Sequence, residues 1–212
     1  ENEKILAYAI QLATEKLFIQ LIKDEFLERI QSTGNNLIIT GGTAMNILVN
    51  EAVKREFPDM NVFVPCNPGD DGISMGLMSR EITFLEHEQF GRHVVEGNYD
   101  FKYAGPYLFD HNHLHNRKSE RGGRDVTLKE VSDLLKEGKI IGFLNGRSEI
   151  GPRSLGNRSI LCDPSLPNMK DTLNSKVKFR EWYRPFAPMC RLEDADIYFD
   201  SRDYDMMYAM QF

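Results

Sequence analysis

Cysteine is scarce in this 212-residue chain: Cys66, Cys162 and Cys190 are the only three, and they lie far apart. That number and scatter exclude a disulfide framework or a zinc ribbon and fit reduced cytosolic thiols. Long apolar runs are lacking too. None approaches the ~20 residues of a membrane span, so no membrane partner is expected. Glu1 to Lys4 are polar and acidic and do not read as a signal peptide, so a cytoplasmic location is expected. Positive charge is not in excess, at net −6, which argues against nucleic acid as a partner. What is present is ordinary globular composition, 41% hydrophobic and 27% charged residues. The length suits one large domain or two small ones with a real core.

The charge is uneven. From Arg147 to Arg191 there are nine Lys/Arg against four Asp/Glu, a local balance of +5 in a chain of net −6. A basic island in an acidic protein suits a small anionic ligand such as phosphate. Charge alone leaves a solvated surface patch as an equal reading.

The pattern along the chain predicts an α/β fold. From Glu3 to Gln31, apolar residues including Ile5, Leu12, Ile19, Ile22, Phe26 and Ile30 recur at mostly helical spacing. After a turn at Ser32–Asn36, Leu37–Thr40 reads as a buried strand ending in Gly41-Gly42, with a helix over Thr43–Arg55. A second strand, Met60–Val64, leads through a polar loop to a helix from Gly72 to about Thr83. Periodicity is lost over Glu86–Gly123, which reads as an interdomain connection. Thr127-Leu128-Lys129-Glu130 fits a capping box, opening a helix to Lys136 that Gly138 closes. Ile140–Leu144 reads as a strand, and the chain beyond it as loop-rich to Pro188.

Four loops invite chemistry. Glycines at Gly41-Gly42, between strand and helix, let backbone N–H groups approach a phosphate, or serve a steric purpose only. Gly69-Asp70-Asp71-Gly72 offers a carboxylate for a cation or for capping the next helix. Arg147, Arg153 and Arg158 are held among Gly151, Pro152 and Gly156, which suits fixed guanidinium forks aimed at an anion. Lys176 to Pro188 interleaves Lys178, Arg180, Glu181 and Arg184 with aromatics, and Pro185 and Pro188 bracket Phe186. His111, His113 and His115 alternate as metal ligands on a strand would, or belong to an exposed linker. His87 and His93 stand alone.

The residues of these loops resemble those of the ATP-dependent carbamoyltransferase family, which includes nodulation-factor and antibiotic O-carbamoyltransferases. Gly146 to Leu161 resembles the family's run G-R-x-E-x-G-P-R-A-L-G-N-R-S-I-L, and Asn174 to Pro188 its N-x-K-x-K-x-R-E-x-x-R-P-F-A-P. Gly41 to Asn46, Gly69 to Gly72 and Gly105 to Leu108 resemble three shorter motifs, in the same order. The resemblance implies part of an ASKHA-like domain (the actin and sugar-kinase superfamily) over 1–104, a linker over 105–125, and a partial YrdC-like domain over 126–212. It implies that carbamoyl phosphate and ATP form a carbamoyl-adenylate, and that the carbamoyl group then passes to a hydroxyl-bearing small-molecule acceptor. Arg153, Lys178 and Arg184 would be catalytic, with Arg147, Arg158, Ser159 and Arg180 binding phosphate or substrate. Gly41, Gly42 and Asn46 would bind nucleotide. Asp70 would hold a divalent metal, iron or magnesium, and Asp71 stands where the family has a small residue. The H-x-x-x-H spacing that occurs here, His111 to His115, lies downstream in the linker and is not the counterpart of the family's paired histidines. A non-catalytic module that binds nucleotide or phosphate is the alternative expectation.

Overall fold

The computed structural model describes residues 2–90, 101–108, 118, 120–200 and 206–209. The chain forms two compact units. The first takes Glu1–Phe101, Gly151–Arg153 and Ala195–Phe212; the second takes Lys102–Ile150 and Ser154–Asp194.

In the first unit the expected long helix is present, as α1 (Asn2–Leu21), a π-helical turn over Ile22–Phe26, and α2 (Leu27–Ser32). Strand β1 (Asn36–Ile38) pairs in parallel with β2 (Asn61–Phe63), Leu37 opposite Val62, and α3 (Ile47–Glu56) makes the crossover. Ile39 N–H to the Phe63 carbonyl, 2.9 Å, carries the ladder one residue further. A further helix, α4 (Ile73–Phe90), is longer than its sequence pattern suggests. The core gathers Ile22, Ile30, Ile39, Val49, Val53 and Val64, all at most 7% exposed. Each buried aliphatic side chain of this kind contributes about 1.5–3 kcal/mol of transfer free energy.

Two features of this unit depart from expectation. The apolar stripe of α1 buries only its C-terminal continuation: Ile22 and Ile30 are in the core, while Ile5, Leu6, Tyr8, Ile10 and Leu17 are exposed. The stretch Asn2–Ser32 is also long and apolar enough to cross a membrane, by length and composition. Gln11, Thr14, Glu15-Lys16 and Gln20 break this stretch into short apolar runs, which is why the sequence shows no long one. An 18-residue window around that pair nevertheless stays apolar.

The second departure is the tail. Met207 is 1% exposed within the first unit's core. Asn50 Nδ2 donates to its carbonyl at 2.7 Å, and Tyr208 Oη donates to the Val62 carbonyl at 2.9 Å.

The second unit opens at Lys102, inside the segment that the sequence reads as a connection. Residues 102–108 run antiparallel to 146–150, with Ile150 N–H donating to Lys102 O (2.8 Å) and Ser148 N–H to Pro106 O (2.8 Å). Gly105 is required there: a Cβ would lie 2.1 Å from Ser148 Oγ. Helix α5 (Leu128–Lys136) starts at Thr127 with both halves of the capping box formed. Gly138, at φ +82, closes it. The hairpin partner of β3 (Ile141–Leu144) is β4 (Arg158–Leu161), Gly142 opposite Ile160. That strand lies inside the stretch expected to be loop. Short α6 (Met169–Thr172) and a π-turn over Leu173–Val177 follow. The chain then rejoins the first unit at α7 (Ala195–Tyr198).

Candidate functional site

In the first unit, loops after both parallel strands meet at their C-terminal edge, the place where open α/β sheets bind ligands. Gly41, at φ +91, turns the chain out of β1, and its N–H donates to Pro68 O at 2.7 Å. Thr40 Oγ1 donates to the same carbonyl at 3.1 Å, which ties the first loop to the second. A Cβ on Gly41 or Gly42 would meet nothing within 4 Å, so the space over this turn is open. Asn46 is the N-cap of α3, accepting from Leu48 N–H (3.2 Å) and Val49 N–H (3.3 Å). Its amide nitrogen donates to Gln11 Oε1 at 2.9 Å. Asn46 therefore has its side chain engaged in shaping the turn.

The second loop is tighter. A Cβ on Gly72 would lie 2.2 Å from the Asn67 carbonyl. Asp70 and Asp71 are exposed on the 3₁₀ turn ahead of α4. The Asp70 carbonyl accepts from the Ile73 N–H, but its carboxylate makes no hydrogen bond or ion pair among the described residues, so the side chain does not cap the helix. No group of three or more His, Cys, Asp or Glu side chains gathers among the described residues. The His111–His115 segment lies outside them.

Arg153 belongs to this first unit, whereas Lys178 and Arg184 belong to the second. Neighbouring Gly151, at φ +108, passes so close to Cys66 that a Cβ would lie 2.3 Å from its carbonyl. The Arg153 guanidinium donates through Nη2 to Met45 O at 3.4 Å, on the turn that follows Gly41-Gly42. Its Nε is buried without a partner among the described residues. An unsatisfied guanidinium N–H favours an incoming acceptor.

In the second unit the first long motif forms the β3–β4 connection. Arg147 donates through Nε to Gly105 O (2.8 Å) and through Nη2 to Ala104 O (2.9 Å), and stacks over Tyr107. These bonds fasten residues 104–107 to the motif. Glu149 sits at the centre, 3% exposed. Its Oε1 accepts from the backbone N–H of Leu155 (2.8 Å), Asn157 (2.8 Å) and Arg158 (3.3 Å). Burial works against its charge, but these backbone donors outweigh burial and hold the carboxyl below the usual range. Ser159 Oγ accepts from Gly156 N–H at 3.2 Å.

The second long motif wraps around Asn174, 1% exposed. Asn174 Nδ2 donates to the carbonyls of Trp182 (3.3 Å) and Arg184 (3.1 Å), and Oδ1 accepts from Arg180 Nε (2.7 Å). Arg180 also donates to Pro185 O at 3.1 Å and lies over the Phe186 ring, 4.4 Å from its centroid. This bend, with Phe179 at φ +49, turns Lys178 outward. Lys178 is exposed, and its ammonium has no partner among the described residues. Arg184 pairs with Glu181 at 2.8 Å, both half exposed. Sequence reasoning overlooked Glu149 and Asn174. The available signal was a single acid inside a basic motif, and an amide ahead of one.

Comparison with known proteins agrees with this reading of the motifs. The family pattern described as carbamoyltransferase N-terminus matches residues 1–78, and the one described as carbamoyltransferase C-terminus matches residues 132–212. Nodulation protein NolNO of Sinorhizobium fredii is 32% identical over 210 residues, 96% of this chain and 30% of that protein. Nodulation protein U of the same species is 37% identical over 190 residues, 86% of this chain and 31% of that protein. The similarity extends to an uncharacterized protein of the archaeon Methanocaldococcus jannaschii, 28% identical over 77% of this chain and 28% of its own length. The chain thus spans under a third of these relatives, with its motifs in both matched regions. It belongs to the carbamoyltransferase family.

Proposed function

We propose that the chain carries part of the machinery of an O-carbamoyltransferase that uses carbamoyl phosphate and ATP. The carbamoyl group ends on the α-phosphate of ATP as carbamoyl-adenylate, with one water consumed and phosphate and pyrophosphate released. The acceptor hydroxyl oxygen then attacks the carbamoyl carbon, and AMP leaves. On this reading residues 1–104 belong to the ASKHA-like transfer part, residues 126–212 to the YrdC-like adenylate-forming part, and the enzyme works in the cytoplasm.

Adenylate formation brings two highly charged anions together, so it needs fixed cations. The observation that carries the reading is the second motif's bend, which buries Asn174 and leaves Lys178 exposed without an internal partner. Arg184 supports it across an ion pair that an incoming anion can share. Arg147 and Arg180 brace the loops by binding backbone carbonyls, while Arg158 and Ser159 flank the Glu149 anchor. Arg153, with its buried unpartnered Nε, offers a donor to a phosphate held over Gly41-Gly42, and Asn46 shapes that turn. Asp70 supplies one exposed carboxylate toward the implied metal. The described residues do not make up a metal site among themselves.

The test is carbamoyl phosphate-dependent ATP–pyrophosphate exchange in the intact protein. Lys178→Ala should lower the exchange rate by about ten- to hundredfold, the effect of losing one charge-assisted hydrogen bond. Lys170→Ala, which removes the same charge outside both motifs, should leave it within a few-fold. Equal losses would show that the basic island acts only as a diffuse field. No exchange in the wild type would overturn the proposed reaction.

A further inference from the structure

We propose that Glu149 is a positioning residue. By accepting backbone N–H groups beyond the Ile150–Ser154 excursion, it sets where Arg158 and Ser159 stand toward a bound anion. The identity of that anion, carbamoyl phosphate, rests on the function proposed above.

The excursion needs such an anchor. It contains Gly151 at φ +108 and is followed by Gly156 at φ +107, where a Cβ would meet nothing within 4 Å. Glycine-rich backbone loses more conformational entropy on ordering than any other. Glu149 precedes the excursion, and Leu155, Asn157 and Arg158 follow it, so one side chain ties its two ends together. Three backbone donors converging on one point form a nest that favours an anion, and here an internal carboxylate fills it. The Glu149 side chain is 0% exposed, and its second oxygen stands 3.5 Å from Arg158 Nε. That carboxylate is thus placed against both the backbone and the head group of Arg158. Its lowered proton affinity fits a permanent anchor and not a proton donor.

Glutamine and aspartate substitutions separate reach from charge. Glu149→Gln keeps an oxygen at the same reach, and Glu149→Asp keeps the charge but is one methylene short. Two readouts apply to the intact protein: steady-state kinetics with carbamoyl phosphate varied, and amide hydrogen exchange at Leu155, Asn157 and Arg158. Glu149→Asp should raise KM for carbamoyl phosphate about tenfold or more, with kcat within about threefold and faster exchange at the three amides. Glu149→Gln should stay within about threefold of wild type in KM and protect the amides nearly as well. An aspartate variant that behaves as wild type overturns the proposal. So does a glutamine variant as damaged as the aspartate one, because the charge would then be needed as much as the reach. Should the wild type not use carbamoyl phosphate, the proposed function fails by itself, and amide exchange still judges Glu149: loss of protection only in the aspartate variant supports the anchor, and unchanged protection overturns it.

Discussion

The two units are held together by different chemistry. In the first, the fully buried side chains are largely aliphatic, with Val49, Val53 and Met207 at 1% exposure or less. In the second, Leu173 is the one buried apolar side chain among the described residues, and its companions are Ser148, Glu149 and Asn174. Leu144, Ile160 and Leu128, apolar side chains of the same unit, are 56%, 40% and 83% exposed and build no apolar core there. An aliphatic core is non-directional and tolerates repacking. A buried polar hub fixes where particular backbone groups stand, and removing it leaves those groups without partners. The second unit therefore trades tolerance for the geometric definition of its two motif loops.

Asn174→Ala should break the comparison most severely. It strands the carbonyls of Trp182 and Arg184 and the Nε of Arg180, at a cost of about 3 kcal/mol. Trp182 is the only tryptophan and lies in the affected loop, so its fluorescence in a urea titration reads the loss directly. A shift of the fluorescence transition no larger than that of an exposed control would remove Asn174 from the role of hub.

Val53→Ala is the matching cut in the first unit. It creates a small cavity in an aliphatic core and should cost about 2 kcal/mol, seen in the circular dichroism transition of the helices. If both substitutions shift both transitions equally, the units unfold as one and the contrast between them has no thermodynamic expression.

Acid sharpens the contrast more gently. The folded Glu149 carboxyl is held below its unfolded value of about 4.3, so its contribution is full above that pH and is lost as pH falls through the lowered value. An acid titration should therefore destabilise the wild type more than Glu149→Gln, while leaving the difference between wild type and Val53→Ala unchanged. Parallel curves for wild type and Glu149→Gln would remove the charge from the account.

The smallest effect is expected at Thr127→Ala, about 1 kcal/mol for the lost cap of α5. Here the comparison is between a polar anchor at the surface and the two buried ones. A loss as large as that of Asn174→Ala would mean that burial matters less than argued.

The same contrast explains what could be read ahead of the structure. The capping box at Thr127 and Glu130 was legible because all its partners lie within four positions of one another and the pattern names both donor and acceptor. Both parallel strands were legible within a residue or two, since β-branched runs flanked by turns carry their own signal. Strand β4 was not: Arg158 to Leu161 is short, opens on a cation and follows Gly156-Asn157, so its pairing depends on β3 and not on its own pattern. The motif cations stood out by charge, yet which of them are engaged internally depends on where carbonyls fall after folding, as with Arg147 and Gly105. Glu149 and Asn174 were overlooked for the same reason, because most of their partners are backbone groups that every residue possesses. The docking of Met207 joins positions far apart in the chain, beyond any local periodicity.

That last contact bears on the order of events during synthesis. Asn50 and Met207 are separated by 157 positions, so the hydrogen bond between them closes a loop that encloses the entire second unit. On a ribosome delivering about 5–20 residues per second, the first unit would wait on the order of ten seconds for Met207 after Asn50 is made. The second unit, whose segments all lie between Lys102 and Asp194, is synthesised in that interval. Of the two units, the one that begins first is thus the one completed last.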